Sequence, residues 1–361
     1  MGATQQTKTL VTVVGARPQF IKVAPVSRAI RDTGRITEIL VHTGQHFDAN
    51  MSDVFFDELG IARPDYNLDV GGGGHGAMTG LMLQRLEPLL QDIRPDVVLV
   101  YGDTNSTLAG ALTAAKLHIP VAHIEAGLRS FNRAMPEEIN RVVADHLSDL
   151  LFASTEVAVA NLQQEGVDSA KVHQVGDVMY DAALLFSDRA KARTILSDVG
   201  VEQGRYVLST LHRAEDTDNL QRLAALTAAL DQVAKQLPVI LPLHPRTRVA
   251  MERHGLRFDH VKTVDPVGYL DMVALESNAA VIATDSGGVQ KEAFFYAVPC
   301  VTLRDETEWT ELIDLGWNQL AAPTGSAIAE QILSAVGRKG TKACPYGDGS
   351  ASRSIAEKLA E

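Results

Sequence analysis

The sequence predicts an α/β protein of two domains, each a parallel sheet with helices on both faces. Three observations carry that expectation. Short β-branched apolar runs alternate with longer amphipathic stretches almost from end to end, the rhythm of βαβ units. A chain of 361 residues exceeds one ordinary core and suits two domains of comparable size. Nearly every apolar run also stops at a cluster of Gly, Asp, Glu, His or Arg. In a parallel sheet those positions share one edge, the carboxyl ends of the strands, where ligands bind.

In the first half, strands are expected at 10–14 (LVTVV), 38–43 (EILVHT), 96–102 (DVVLVYG), 120–126 (PVAHIEA) and 149–154 (DLLFAS). In the second half they are expected at 206–211 (YVLSTL), 238–243 (PVILPL), 262–266 (KTVDP), 280–284 (AVIAT) and 299–304 (PCVTLR). Helical spacing lies between them, as in IKVAPVSRAI, TLAGALTAAKL, EEINRVVADHL, LQRLAALTAALDQVAKQL and LDMVALES. VHQVGDVMYDAALLF (172–186) reads as the last strand of one half running into a linking helix. The expected domains are therefore 1–175 and 176–346, with 347–361 as a closing helix.

Composition narrows the function. Apolar residues make up 45% and charged residues 22%, normal for a soluble globular protein. A net charge of -12 argues against a nucleic-acid or anionic-membrane surface, although local Arg and His groups can still hold a small anion. Cys300 and Cys344 show neither metal-ligand spacing nor a disulfide framework. The N-terminal run is neither a secretory signal nor long enough for a bilayer, so a cytoplasmic protein is expected. Gly71-Gly72-Gly73-Gly74-His75-Gly76 satisfies G-x-G-x-x-G, but DYNLDV before it is no buried strand; a mobile loop at the mouth of a cleft is the better reading. No P-loop and no H-E-x-x-H occur. The expected chemistry runs without a cofactor, nicotinamide or protein-held metal.

The candidate site residues follow the strands. After AVIAT come Asp285, Ser286, Gly287 and Gly288, then a helix carrying Lys291 and Glu292. A strand, a Ser-Gly-Gly turn and a helix N-terminus make a phosphate seat; an ordinary βα turn with a Ser cap is the plainer alternative. Arg17 and Lys22 open the first helix, where cations oppose the helix dipole, which favours an anion contact. His212 beside Arg213 at a strand end suits a diphosphate, and His244 and Arg304 end strands on the same edge. Glu292 has the position to take both hydroxyls of a ribose, or simply to stabilise its helix. Asp103, Glu125 and Glu137 are the acid/base candidates, while the spacing of Glu137 and Arg141 also permits a plain surface pair.

The motifs GARPQFIKVAPV, HTGQHFD, VYGDTNSTLAGALTAAKLHIPVAHIEAGLRS, MPEEINR, LHRAED, LPLHPRT and TDSGGVQKEAFFYAVPCVTLRDETEW run in order along essentially the whole chain. In them the sequence resembles the non-hydrolysing UDP-N-acetylglucosamine 2-epimerases. The resemblance implies a GT-B fold, two Rossmann-like domains whose sheets face a central cleft holding a UDP-sugar, and a homodimer. It implies interconversion of UDP-GlcNAc and UDP-ManNAc, by elimination of UDP to 2-acetamidoglucal and its re-addition. By the same resemblance Asp103, Glu125 and Glu137 are acid/base groups, with Lys22 and His212 counted in the catalytic set. Arg17, His212, Ser286 and Gly287 hold the diphosphate, Glu292 the ribose, and His244 lies near the sugar. Arg141, Gly288 and Arg304 belong to the same UDP-sugar site.

Some positions depart from the family pattern. Asp216 stands where Asn is usual, His46-Phe47-Asp48 replaces His-Arg-Gln or His-Arg-Glu, and the glycine loop lacks the Arg of members activated by their substrate. QHFDANMS and HGAMTG are most similar to the branch acting on UDP-2,3-diacetamido-glucuronic acid, for whose carboxylate Arg129 and Arg133 are candidate partners. A GT-B glycosyltransferase and a nucleotide-sugar sensor are the competing classes.

Overall fold

The first seven strands are β1 (Lys8–Val14), β2 (Ile36–His42), β3 (Tyr66–Asn67), β4 (Val97–Tyr101), β5 (Val121–Ala126), β6 (Leu150–Ala153) and β7 (Val172–Gln174). They form one sheet in the order β3-β2-β1-β4-β5-β6-β7, with every pairing parallel. This is a computed structural model, and it describes residues 7–45, 56 and 58–361. The strand order reverses between β1 and β4, so their carboxyl ends flank a topological switch point. On one face Val11, Val13, Val98 and Val100 pack against Met82, Leu86 and Leu90 of helix His75–Ile93 and the alanines of helix Asn105–Lys116. Small side chains on that second helix let it lie close to the sheet.

The second set is β8 (Val207–Thr210), β9 (Val239–Pro242), β10 (Lys262–Val264), β11 (Val281–Thr284), β12 (Cys300–Thr302) and β13 (Asn318–Leu320). Its order, β10-β9-β8-β11-β12-β13, is again all parallel and reverses between β8 and β11. Alternate residues serve opposite faces. Val207, Val281 and Ala283 join Leu223, Leu226, Leu230 and Val233 of helix Leu220–Ala234. Leu208 and Ile282 join Leu275 and Ala293 on the other side. Burial on both faces is why these strands read as continuous apolar runs.

The chain divides into two compact units, Met1–Leu185 with Cys344–Glu361, and Phe186–Ala343. The division falls inside helix Val178–Lys191 rather than at 175, and the closing segment belongs to the first unit. Two contacts explain this. The Asp177 N–H donates to the Tyr346 carbonyl at 2.9 Å, and the Asp181 carboxylate accepts the Ser352 N–H at 2.6 Å, capping helix Ala351–Ala360 from outside. That helix lies on helix Arg17–Thr33. The edge strands β3 and β13 were not expected; two and three residues are too few for alternation to register.

Candidate functional site

The first unit gathers its polar groups at the β1–β4 switch. Gln19, 1% exposed, accepts the N–H groups of Gly15 (2.8 Å) and Ala16 (3.0 Å) and donates to the Tyr101 carbonyl (2.9 Å), tying the two strand ends together. Arg17 opens the helix half-buried. Lys22, one turn further, is buried and ion-paired with Glu125. Glu125 sits where the β5–β6 register shifts, with φ of 73°. The bulge takes its carboxylate out of the strand's alternation and turns it to Lys22. Gly102, at φ of 62°, leaves the necessary room: a Cβ there would lie 3.2 Å from the Glu125 carboxylate and 3.3 Å from the Lys22 ammonium.

Asp103 forms an ion pair with Arg141, whose guanidinium also donates to Glu138 at 2.8 Å. Glu138 is buried and accepts from Ser130 N (2.9 Å), Ser130 Oγ (3.0 Å) and Phe131 N (2.9 Å), while Asn140 donates to the Asp103 carbonyl. On its own helix Arg141 pairs with Glu138, at i,i+3, rather than with Glu137 as the i,i+4 spacing allowed. The inward face of helix Pro136–Leu147 carries 138, 140 and 141, and Glu137 is exposed in its first turn.

Behind this cluster His123 is fully buried. Its Nδ1 lies 2.7 Å from Asp145 Oδ1 and its Nε2 lies 2.7 Å from the Gly102 carbonyl, so both nitrogens face acceptors. Asp145 also accepts Arg129 Nη1 at 2.7 Å, and Arg129 forks onto Glu165 through Nε and Nη2, both at 2.7 Å. Burial pushes the Asp145 carboxyl up, but His123 and Arg129 outweigh it and hold it below its ordinary value. Arg129, expected as a ligand for a sugar carboxylate, is instead consumed inside the fold. Arg133 is exposed.

In the second unit the switch between β8 and β11 brings His212 and Asp285 together. Asp285 Oδ2 accepts the backbone N–H groups of His212 (2.6 Å) and Arg213 (2.8 Å), and Oδ1 lies 3.1 Å from His212 Nδ1. Burial works to raise this carboxyl, yet the His212 ring and the two amides hold it below the usual range. His244, exposed at the N-cap of helix Pro245–His254, has its ring 5.5 Å from that of His212.

Ser286 is the N-cap of helix Gly287–Phe295, but its side chain makes no cap hydrogen bond. Gly287 and Gly288 are the first helical residues and neither has positive φ, so no left-handed turn is made here. At Gly287 a Cβ would come within 3.4 Å of Trp309 Nε1. The glycines therefore keep this end bare rather than bend it. Glu292 is 6% exposed one turn further on. Arg304 is buried and donates to Glu308 at 2.9 Å. Asp216 is buried beside Arg222 Nε at 2.8 Å.

The glycine run 71–74 is an exposed loop after the exposed edge strand β3, and His75 starts the next helix. The motif positions 46–55, including His46-Phe47-Asp48, lie outside the described residues. Among the described residues no cluster of three His, Cys, Asp or Glu side chains is placed to hold a metal ion, and no helix is long and apolar enough to cross a membrane. Gln19, Glu138, His123, Asp145 and Asp285 were not assigned from sequence; only the adjacency of Asp285 to the Ser-Gly-Gly turn pointed to any of them.

Residues 28–360 match the family model described as UDP-N-acetylglucosamine 2-epimerase. The chain belongs to that family. A UDP-2,3-diacetamido-2,3-dideoxy-D-glucuronate 2-epimerase from Pseudomonas aeruginosa is 53% identical, over 98% of this chain and 99% of its own. Among solved structures, the Methanocaldococcus jannaschii UDP-GlcNAc 2-epimerase in complex with UDP-GlcNAc and UDP is 42% identical, with a TM-score of 0.91 over 97% of this chain and 99% of that one. The Neisseria meningitidis UDP-GlcNAc 2-epimerase bound to UDP-GlcNAc is 32% identical, with a TM-score of 0.88 over 97% and 99%. The two units are accordingly the Rossmann-like domains of a GT-B-like epimerase fold.

Proposed function

We propose that this family member interconverts UDP-GlcNAc and UDP-ManNAc as a cytoplasmic homodimer supplying surface-polysaccharide precursors. The C2 proton of the sugar is not acidified by a carbonyl, so direct deprotonation is closed. Instead a carboxylate takes the C2 proton while UDP leaves C1 with the C–O electron pair, giving 2-acetamidoglucal. Return of UDP to C1 with a proton delivered to the opposite face of C2 gives the epimer.

In this reading Glu125, Asp103 and Glu137 are the acid/base groups, with Lys22 paired to Glu125. Arg17, His212, Ser286, Gly287 and Gly288 take the diphosphate, whose developing charge needs donors already in place. Glu292 takes the ribose, and His244, Arg141 and Arg304 complete the UDP-sugar site. The observation that carries the reading is the pairing of Glu125 and Asp103 with Lys22 and Arg141 at one switch point, with His212, Asp285 and a bare helix N-terminus at the other. The 42% identical enzyme holding UDP-GlcNAc and UDP supports the same substrate class.

The 53% identical relative favours a second reading, C2 epimerisation of UDP-2,3-diacetamido-glucuronate. A proton NMR time course in D2O, run on both sugars, separates the two. Deuterium entering C2 together with the manno epimer is expected, and the faster sugar names the branch. UDP binding without exchange on either sugar would reject epimerisation and return the chain to a transferase or sensor.

A further inference from the structure

His123 on β5 is 0% exposed, and the proposed chemistry leaves it without a role. Each of its ring nitrogens meets an acceptor at 2.7 Å, Asp145 Oδ1 at Nδ1 and the Gly102 carbonyl at Nε2. A neutral imidazole has one N–H and one lone pair, so it can satisfy only one of the two. Its other nitrogen would press a lone pair against an oxygen in the interior, where an unmet polar group is costly. Asp145 does not relieve this by holding the proton. Its second oxygen accepts the Gly127 N–H at 3.1 Å and Arg129 Nη1 at 2.7 Å, which keep it an anion. A ring with a proton on both nitrogens satisfies both acceptors. It also completes a row of alternating charge, Glu165, Arg129, Asp145 and His123.

The far end of that row grips the backbone at Asp103. The Gly102 carbonyl belongs to the rigid peptide unit that enters Asp103. The Gly102 N–H is itself tied to the Ile124 carbonyl at 3.0 Å. The peptide unit that leaves Asp103 is held through its carbonyl by Asn140 Nδ2 at 2.9 Å. His123 and Asn140 thus pin the two peptide planes on either side of Asp103, and with them the direction of its side chain towards Arg141.

We propose that His123 is a positioning residue: a buried imidazolium that donates to the Gly102 carbonyl and so holds the Asp103 carboxylate in place for proton transfer. It acts through the backbone and not on the sugar. The proposal rests on the reading of Asp103 as an acid/base group.

The test sets His123→Gln and His123→Asn against the wild type in C2 exchange and UDP calorimetry, with neutron diffraction from wild-type crystals. The amide nitrogen of Gln reaches the place of Nε2 and keeps the donor to Gly102, whereas that of Asn reaches only the place of Nδ1. His123→Gln is expected to keep most of the wild-type kcat. His123→Asn should lose about 10²-fold in kcat, the scale set by a small displacement of a catalytic group, with UDP affinity unchanged. Equal kcat in the two variants, or a loss confined to UDP affinity, would overturn the proposal. The neutron map is expected to show a proton or deuteron on both ring nitrogens of His123. A bare nitrogen at either position would overturn it as well, even if neither variant folds. A wild type that exchanges no C2 proton would sink the acid/base reading of Asp103 itself, before any variant is made.

Discussion

His212 and Asp285 meet across the β8–β11 switch through both carboxylate oxygens, one on two backbone amides and the other 3.1 Å from the ring. The carboxylate thereby fixes the loop and orients the imidazole together. Asp285→Asn keeps one oxygen for the amides but places an NH2 against Nδ1. We expect UDP affinity to fall about tenfold and C2 exchange by about 10²-fold or more, because the leaving diphosphate loses an oriented donor. Calorimetry and exchange kinetics measure the two effects; wild-type values for both would remove His212 from the diphosphate site.

Lys22 and Glu125 are each about 10% exposed, so neither tolerates losing the other. Glu125→Gln strands the ammonium and should cost about 3–5 kcal/mol of stability in a denaturant titration. Exchange at C2 should fall about 10²–10⁴-fold while UDP binding persists. A variant with full exchange activity would exclude Glu125 from the proton transfer.

Gly102→Ala tests the room around that pair. A left-handed backbone costs a non-glycine residue about 1–2 kcal/mol, and the new methyl would press on both charged groups. Turnover should drop more than stability predicts, with UDP affinity unchanged. Equal turnover would mean that the spacing at Gly102 is not critical.

Asp216 gives a pH signature. Burial lifts its carboxyl to about 6 despite Arg222, with Asp285 and Glu215 adding to the rise. Because the folded value exceeds the unfolded one, the folded state binds more protons between the two. Stability from this group is complete below about pH 4 and declines as pH climbs to about 6, by on the order of 2–3 kcal/mol. Asp216→Asn should flatten that slope in urea titrations from pH 4 to 7. Parallel slopes would show that Asp216 ionises normally.

The strands and main helices were legible because both faces of each sheet are buried and the apolar runs are unbroken. Their polar terminators were legible for the same reason, since a parallel sheet collects them on one edge. What stayed hidden depends on rotation and register. Spacing could not tell whether Arg141 turned to Glu137 or Glu138. Nor could it show that β5 bulges at Glu125, or that Arg129 spends its guanidinium on Asp145 and Glu165 rather than on a ligand. His123 looks like any strand residue until the fold encloses it.

The return of residues 344–361 to the first unit has a consequence for the order of assembly. A ribosome delivers the whole of the second unit before the cap on Asp181 and the helix over Arg17–Thr33 can form. The second unit is one continuous stretch and is free to fold as it emerges. The unit bearing Asp103 and Glu125 must wait with an uncovered flank until residues 344–361 have followed the second unit. A chain stalled or clipped before Cys344 leaves that flank exposed.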